Sequence, residues 1–358
     1  MTQNGALAMV QLEMLTDTPS ANIVRQMRTI LLSAVLVLAF LFLTRSFSQS
    51  NSYNFVTLNV DFPSFHDDLF GCAATDLNDY RVIVGGCNDL SQNSDFRGYL
   101  YDGRRFREID FHHVDTGPRG GGANQGLLIA RSVYQSRPFQ SLGSTKQIVS
   151  GVNPQGINNQ EHLTGWYFDL GGTRLHGFLK RNGDVLALTV PNSQLLTEAV
   201  GINEFDQVVG DYRGQDGAFH GFRYAEGNYV SFDFPSAPDT GASGINNRGQ
   251  IVGCYSLCSH GFLSDPTFST FTTIDIPGAL ATQARDINDL GQIIGVYSTD
   301  NITAHGFLYD AQGFRSIDAP GAFITTPFGI NNQGQIVGYF VIQKSPSVFE
   351  HHAFLVTR

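Results

Sequence analysis

Apolar residues in this chain fall in short runs separated by turn residues, and the same pattern returns every 42–45 residues. Residues 286–328 show one unit. Asp286-Ile287-Asn288 ends a first strand, and Asn288-Asp289-Leu290-Gly291 is a turn with Gly where a positive φ is needed. Gln292-Ile293-Ile294-Gly295-Val296-Tyr297 returns as a second strand. After a polar loop, His305-Gly306-Phe307-Leu308-Tyr309 predicts a third, and Phe314-Arg315-Ser316-Ile317-Asp318 a fourth. Four antiparallel strands in about 43 residues is the size of one propeller blade.

The Ile of the Ile-Asn signature stands at 157, 202, 245, 287 and 330, with Leu77-Asn78 as the first member. The chain ends bear on the architecture. Residues 54–63 match a fourth strand, with Val60-Asp61-Phe62-Pro63 resembling Phe232-Asp233-Phe234-Pro235. The last segment, His352-Ala353-Phe354-Leu355, matches a third strand. These orphans make one blade only if the two ends meet, whereas a solenoid needs polar capping units. The expected fold is therefore an all-β propeller over residues 53–358, closed by its terminal strands. The 80 residues between Leu77 and Ile157 suggest a degenerate unit near 123–126, which favours seven blades. Six blades plus an insertion is the alternative.

Composition narrows the function classes. The formal net charge is −10, and a nucleic-acid partner would require a basic stripe. A 42% hydrophobic content excludes a disordered chain. Arg25 and Arg28 precede an apolar run from Ile30 to Leu43, too short to span a bilayer comfortably. It suits a signal peptide within residues 1–48, with Met27 as a candidate start and cleavage after Ser46-Phe47-Ser48. A membrane enters only if that segment is retained. The expected location is secreted, periplasmic or extracellular. Four cysteines fit an oxidising compartment. Cys72 and Cys87 lie symmetrically about a predicted turn, and Cys254 and Cys258 flank a short loop, so the pairing 72–87 with 254–258 is favoured among three possibilities.

The recurrence of Gly-Ile-Asn-x-x-Gly-x-Ile-Val-Gly in phase with His-Gly-Phe-Leu resembles the extracellular repeat family named for its His-Ala-Phe motif. That tripeptide stands at His352-Ala353-Phe354, with His-Gly-Phe versions at 176, 220, 260 and 305. The resemblance runs from about Phe55 to the end. It implies an exported bacterial protein and assigns no reaction. Arg97-Gly98-Tyr99 departs from the pattern, and the motif is missing near 137.

A residue present once per blade is expected to be structural. His176, His220, His260, His305 and His352 are thus read as ties from the third strand to a neighbouring turn, not as metal ligands, since zinc needs four donors about one point. The Asn of each Ile-Asn has a similar expected role at its hairpin. Asp61, Asp110, Asp233, Asp275 and Asp318 are read as strand-end anchors rather than glycosidase carboxylates. Candidate binding residues sit where the repeat breaks: His112, His113 and Asp115, and His162 with Trp166, the single tryptophan. No cofactor, metal site or catalytic residue is expected. No Gly-x-Ser-x-Gly elbow, phosphate loop or His-Glu-x-x-His helix occurs. The reading is a binding or scaffold module for protein or glycan, through loops such as 212–219 and 341–350. The alternative is a polysaccharide hydrolase or lyase with its site at the central opening. Convergent carboxylates at one mouth of the channel would favour the enzyme, and an apolar channel the scaffold.

Overall fold

The computed structural model describes residues 53–60, 69–89, 95–114, 127–132, 147–148, 152–168, 173–182 and 184–357. Of residues 69–70, 88–89, 95–96, 110–114, 127–132 and 147–148 only the backbone is described. The proposed signal segment, Asp61 and Asp115 lie outside the described residues.

The described residues form six four-stranded blades. A first strand, β1 (Asn54–Leu58), precedes blade 1, which is β2 (Leu69–Leu77), β3 (Ile83–Asp89), β4 (Asp95–Tyr101) and β5 (Phe106–Val114). Two extra strands follow, β6 (Leu127–Ser132) and β7 (Gln147–Ile148). Blade 2 is β8 (Asn153–Ile157), β9 (Leu163–Phe168), β10 (Leu175–Arg181) and β11 (Asp184–Leu188). Blade 3 is β12 (Thr197–Ile202), β13 (Val208–Arg213), β14 (Phe219–Ala225) and β15 (Asn228–Phe232). Blade 4 is β16 (Thr240–Ile245), β17 (Ile251–Tyr255), β18 (His260–Ser264) and β19 (Phe271–Ile274). Blade 5 is β20 (Ala281–Ile287), β21 (Ile293–Ser298), β22 (His305–Asp310) and β23 (Gly313–Ile317). Blade 6 is β24 (Ile324–Ile330), β25 (Ile336–Ser345) and β26 (Val348–Thr357), completed by β1.

Ring closure follows the expectation. β1 pairs antiparallel with β26, Thr57 opposite Phe354 and Leu58 opposite Ala353. The favoured count of seven blades is corrected to six. The long step between Leu77 and Ile157 holds no further blade among the described residues. Instead β6 pairs with β5 and with β11, stitching the outer edges of blades 1 and 2 into one continuous sheet.

The two recurring motifs are in phase because they touch. The Gly after each Val-Val or Ile-Val pair faces the Phe of His-Gly-Phe across the next strand, as Gly253 faces Phe262 and Gly295 faces Phe307. A Cβ on Gly253 would lie 2.9 Å from the Phe262 ring, and one on Gly295 2.7 Å from Phe307. Only glycine admits the ring. Phe178, Phe222, Phe262, Phe307 and Phe354 are fully buried as a result, and each anchors the core of its blade.

Both disulfides match the favoured pairing. Cys72–Cys87 joins β2 to β3, and Cys254–Cys258 closes the β17–β18 loop.

Within each blade the inner strand runs toward one face of the ring and ends at the Asn of the repeat. The first-to-second and third-to-fourth turns lie on that asparagine face. The second-to-third loops and the connections between blades lie on the opposite face, where the motif histidines begin the third strands.

Candidate functional site

The inner strands surround an axial channel, and its asparagine end is built by two closed rings of hydrogen bonds. Each motif Asn accepts from its own hairpin, as Asn203 Oδ1 does from the N–H of Phe205 and Gln207. Its Nδ2 donates to the carbonyl of the matching Asn one blade on. The bonds run from Asn78 to Asn158, Asn203, Asn246, Asn288 and Asn331 in turn, and from Asn331 back to Asn78, all at 3.0–3.2 Å. The next residues make the second ring. The N–H of Asp79, Asn159, Glu204, Asn247, Asp289 and Asn332 each donates to the side chain of its successor at 2.8–2.9 Å.

Acid and amide alternate around that second ring, for a physical reason. A carboxylate only accepts, whereas Asn also donates. Asn332 Nδ2 donates to both Asp79 and Asp289, Asn247 to Asp289, and Asn159 to Asp79. Burial, reinforced by the charges of Asp79 and Asp289, holds the Glu204 carboxyl above its usual range.

Below the rings the channel narrows to a layer of Gly156, Gly201, Gly244 and Gly329, with Asp76 and Asp286 at the two remaining positions. Each Asp bridges blades. Asp286 accepts from Ile287 and from Ile330 of the next blade, and Asp76 from Leu77 and from Ile157, at 2.7–2.8 Å. Burial raises both carboxyls, Asp286 to about 6 and Asp76 well above the ordinary value, the latter also through the charge of Asp286.

One residue further down, all six inner strands carry a β-bulge. The bulged residues are Thr75, Gln155, Val200, Ser243, Arg285 and Phe328. A bulge re-aims a side chain, and here all six line the channel. Together with the ring residues above them they bound an axial cavity of about 100 Å³. Arg285 donates to Gln283 Oε1 at 2.8 Å and lies 5.3 Å over the Phe328 ring. Desolvation pushes its pKa below the ordinary value.

At the histidine end, Glu198 stands opposite Asp211 in the β12–β13 register. Burial raises both carboxyls, and the Glu198 charge raises Asp211 further. Both are half-buried.

The five motif histidines contact residues of their own blades. His220, His260 and His305 place Nδ1 2.9, 2.7 and 3.2 Å from Asp233, Asp275 and Asp318, each just past the fourth strand of the same blade. His176 uses Thr189 at 3.0 Å. His352 approaches Glu350 at 3.5 Å and tilts against Phe340.

The described candidate binding residues stand on two blades. His112 and His113 lie on the outer strand β5, their backbones paired with β6 and β7. His162 is buried at the asparagine end, 2.7 Å from Asp206 of the next blade, so it ties hairpins together. Trp166 lies further along β9, edge-on to Phe168 at 5.7 Å. Among the described residues no group of three or more His, Cys, Asp or Glu is arranged to hold a metal. The channel residue Arg285 was missed from sequence; it stands at the repeat position that Thr75, Gln155, Val200, Ser243 and Phe328 occupy in the other blades.

No family model matches the chain, and no curated protein sequence does. Solved structures align with the chain at low identity. A streptogramin B lyase aligns at 12% identity over 85% of this chain and 97% of its own, with a TM-score of 0.43. Virginiamycin B lyase from Staphylococcus aureus aligns at 11% identity over 86% and 100%, TM-score 0.43. A lectin from Aleuria aurantia bound to alpha-methyl-L-fucoside aligns at 12% over 81% and 93%, TM-score 0.39. These values speak to architecture alone.

Proposed function

We propose that the chain is an exported β-propeller that binds a protein or glycan through its histidine face. The carrying observation is where exposed large apolar side chains lie. Leu195, Phe219, Leu257, Leu280, Ile302 and Phe349 all stand on loops, connections or strand ends of that face, Leu257 at 85% exposure. The asparagine face offers Tyr80, Phe205 and Leu290. Loops on a rigid frame are where recognition concentrates, and the ten-residue strands β25 and β26 carry one hairpin beyond the rest. The two disulfides support export. The interlocked Val-Gly and His-Gly-Phe motifs support membership in the His-Ala-Phe repeat family.

The channel is not apolar, which by itself favours an enzyme acting at the opening. Its ring and axial carboxylates, however, accept backbone or amide N–H groups from neighbouring blades. This supports binding over hydrolysis or lyase chemistry.

A glycan array and capture from extracellular extracts identify the ligand. Leu257→Asp combined with Phe349→Asp is expected to abolish that binding, and Phe205→Asp with Leu290→Asp to leave it intact, with melting temperature confirming the fold of each. Equal loss from both pairs would overturn the reading.

A further inference from the structure

We propose that the Cys254–Cys258 disulfide is a reducible switch: a dithiol attacks Cys258, and opening the bond releases the turn that displays Leu257.

The backbone of the β17–β18 loop carries this. Ser256, Leu257 and Cys258 have φ of 54°, 54° and 56°. No other two adjacent non-glycine residues among those described share a positive φ. In that region each L-residue sets its Cβ against the following carbonyl oxygen, so a run of three stores strain. The hairpin itself does not call for it. Tyr255 pairs with His260, which leaves residues 256–259 as the loop, and loops of that length are most often built around a type I turn with negative φ. The difference here is Cys258, which stands inside the loop and reaches back to Cys254 on β17. The bond therefore holds a turn that the chain alone does not favour. Asp239, on the connection before β16, props it, both carboxylate oxygens accepting from the Leu257 N–H at 2.8 and 3.0 Å. The result is Leu257 standing 85% exposed at the tip.

The two sulfurs are unequal. Cys254 is buried at 7% exposure, whereas Cys258 is half-buried on the loop. An incoming thiolate thus meets Cys258 first. It bonds to Cys258 Sγ, the bond between the two protein sulfurs breaks, and Cys254 leaves as a thiolate that takes a proton from water. The second thiol of the reductant, deprotonated, then attacks the reductant's own sulfur in the mixed disulfide. Cys258 leaves and is protonated in turn. The reductant ends as its disulfide, and two electrons and two protons have passed to the protein.

Cys72–Cys87 is the internal reference. It joins the paired strands β2 and β3, and Cys87 is fully buried in a cluster with Ala74, Ile83 and Tyr99. Strained or exposed disulfides are the more easily reduced, so the two bonds should separate in a redox titration. The consequence for ligand binding rests on the loop-face reading. The titration needs no ligand, so either reading can fail alone.

The test equilibrates the disulfide-intact protein in buffers of graded reduced-to-oxidised dithiothreitol, with alkylation and peptide mass spectrometry reporting each pair. Cys254–Cys258 is expected to be half-reduced at a ratio at least about a hundredfold lower than Cys72–Cys87, a separation of about 60 mV. With that pair alone reduced, hydrogen exchange of the Leu257 amide is expected to quicken about tenfold or more, as a local opening. Ser256→Gly combined with Leu257→Gly puts residues there that accept a positive φ. It is expected to make Cys254–Cys258 several-fold harder to reduce and to leave Cys72–Cys87 unchanged. The proposal fails if the two disulfides reduce together or in reverse order, if glutathione is trapped on Cys254 rather than Cys258, if Leu257 exchange is unaltered, or if the glycine variant reduces as readily as the wild type. Should that variant not fold, the titration of the wild-type protein still decides.

Discussion

The two faces of the ring use the same kinds of residue for opposite ends. On the asparagine face the repeated Asn side chains bridge neighbouring blades: Asn203 Nδ2 donates to the Asn246 carbonyl, and Asn247 Oδ1 accepts from the Glu204 N–H. On the histidine face the repeated bond stays within one blade, His220 to Asp233 and His260 to Asp275. One face couples the blades into a closed circuit, and the other finishes each blade separately. A circuit loses a link whenever one member changes, so Asn holds the first ring in all six blades and an Asn, Asp or Glu acceptor holds the second. A local tie can be swapped, as blade 2 does with Thr189 and blade 1 with an Arg97–Glu108 pair. The interchangeable face is the one free to carry varied loops.

The strongest way to break this comparison is to open the circuit. Deleting residues 352–358 removes the partners of β1, including the fully buried Phe354. Blade 6 then lacks its junction, and the asparagine rings cannot close between Asn331 and Asn78. Loss of cooperative thermal unfolding by circular dichroism is expected. A truncated protein melting like the full chain would show that the ring does not depend on closure.

A single link comes next. Asn246→Ala removes a donor to Asn288 and Gln250 and an acceptor for the N–H groups of Arg248 and Gln250. The site is buried, so roughly 2–4 kcal/mol of stability should go with it. The matching histidine-face change, His260→Ala, removes a half-exposed intrablade tie and should cost about 1 kcal/mol or less. Denaturant unfolding measures both. Equal losses would mean the two faces are not energetically distinct.

The hairpin half of this circuit was legible in the sequence, and the interblade half was not. Asn288-Asp289-Leu290-Gly291 declares a turn because its chemistry is local, and the terminal half-blades declare closure because strands need partners. The bond from Asn78 to Asn158 spans 80 residues, and the one from Asn158 to Asn203 spans 45. In the ring these are equivalent neighbours. Counting residues therefore suggested an extra blade where the chain makes an excursion through β6 and β7. His162 misled for a related reason. It looked like a break in the pattern because Glu161 replaces a turn glycine, yet Glu161 adopts the same left-handed backbone, φ 58°, as Gly249 at 73°. The turn is conventional, and the histidine faces Asp206 across a blade boundary that no local pattern reveals.

The smallest effect sharpens the comparison through pH. Asp286 bridges to Ile330 of the next blade, and burial lifts its pKa to about 6. A carboxyl whose folded pKa lies above its unfolded value binds its proton more tightly in the folded state. Its stabilising contribution is fully present below about pH 4 and is lost as pH rises through about 6. Asp76, raised by burial and by the Asp286 charge, acts in the same direction. The exposed Asp265 and Asp300 are lowered by their hydroxyl and backbone partners and act only at lower pH. Asp286→Gly installs the residue that blades 2, 3, 4 and 6 carry there. It removes two backbone acceptors at every pH, so the level of stability is a poor guide and the slope is the readout. Between pH 4.5 and 7.5 the wild-type protein should lose about 1–3 kcal/mol relative to the variant. Parallel stability curves would show that the axial carboxyls carry no pH dependence, and that the blade-coupling layer is insensitive to the charge it encloses.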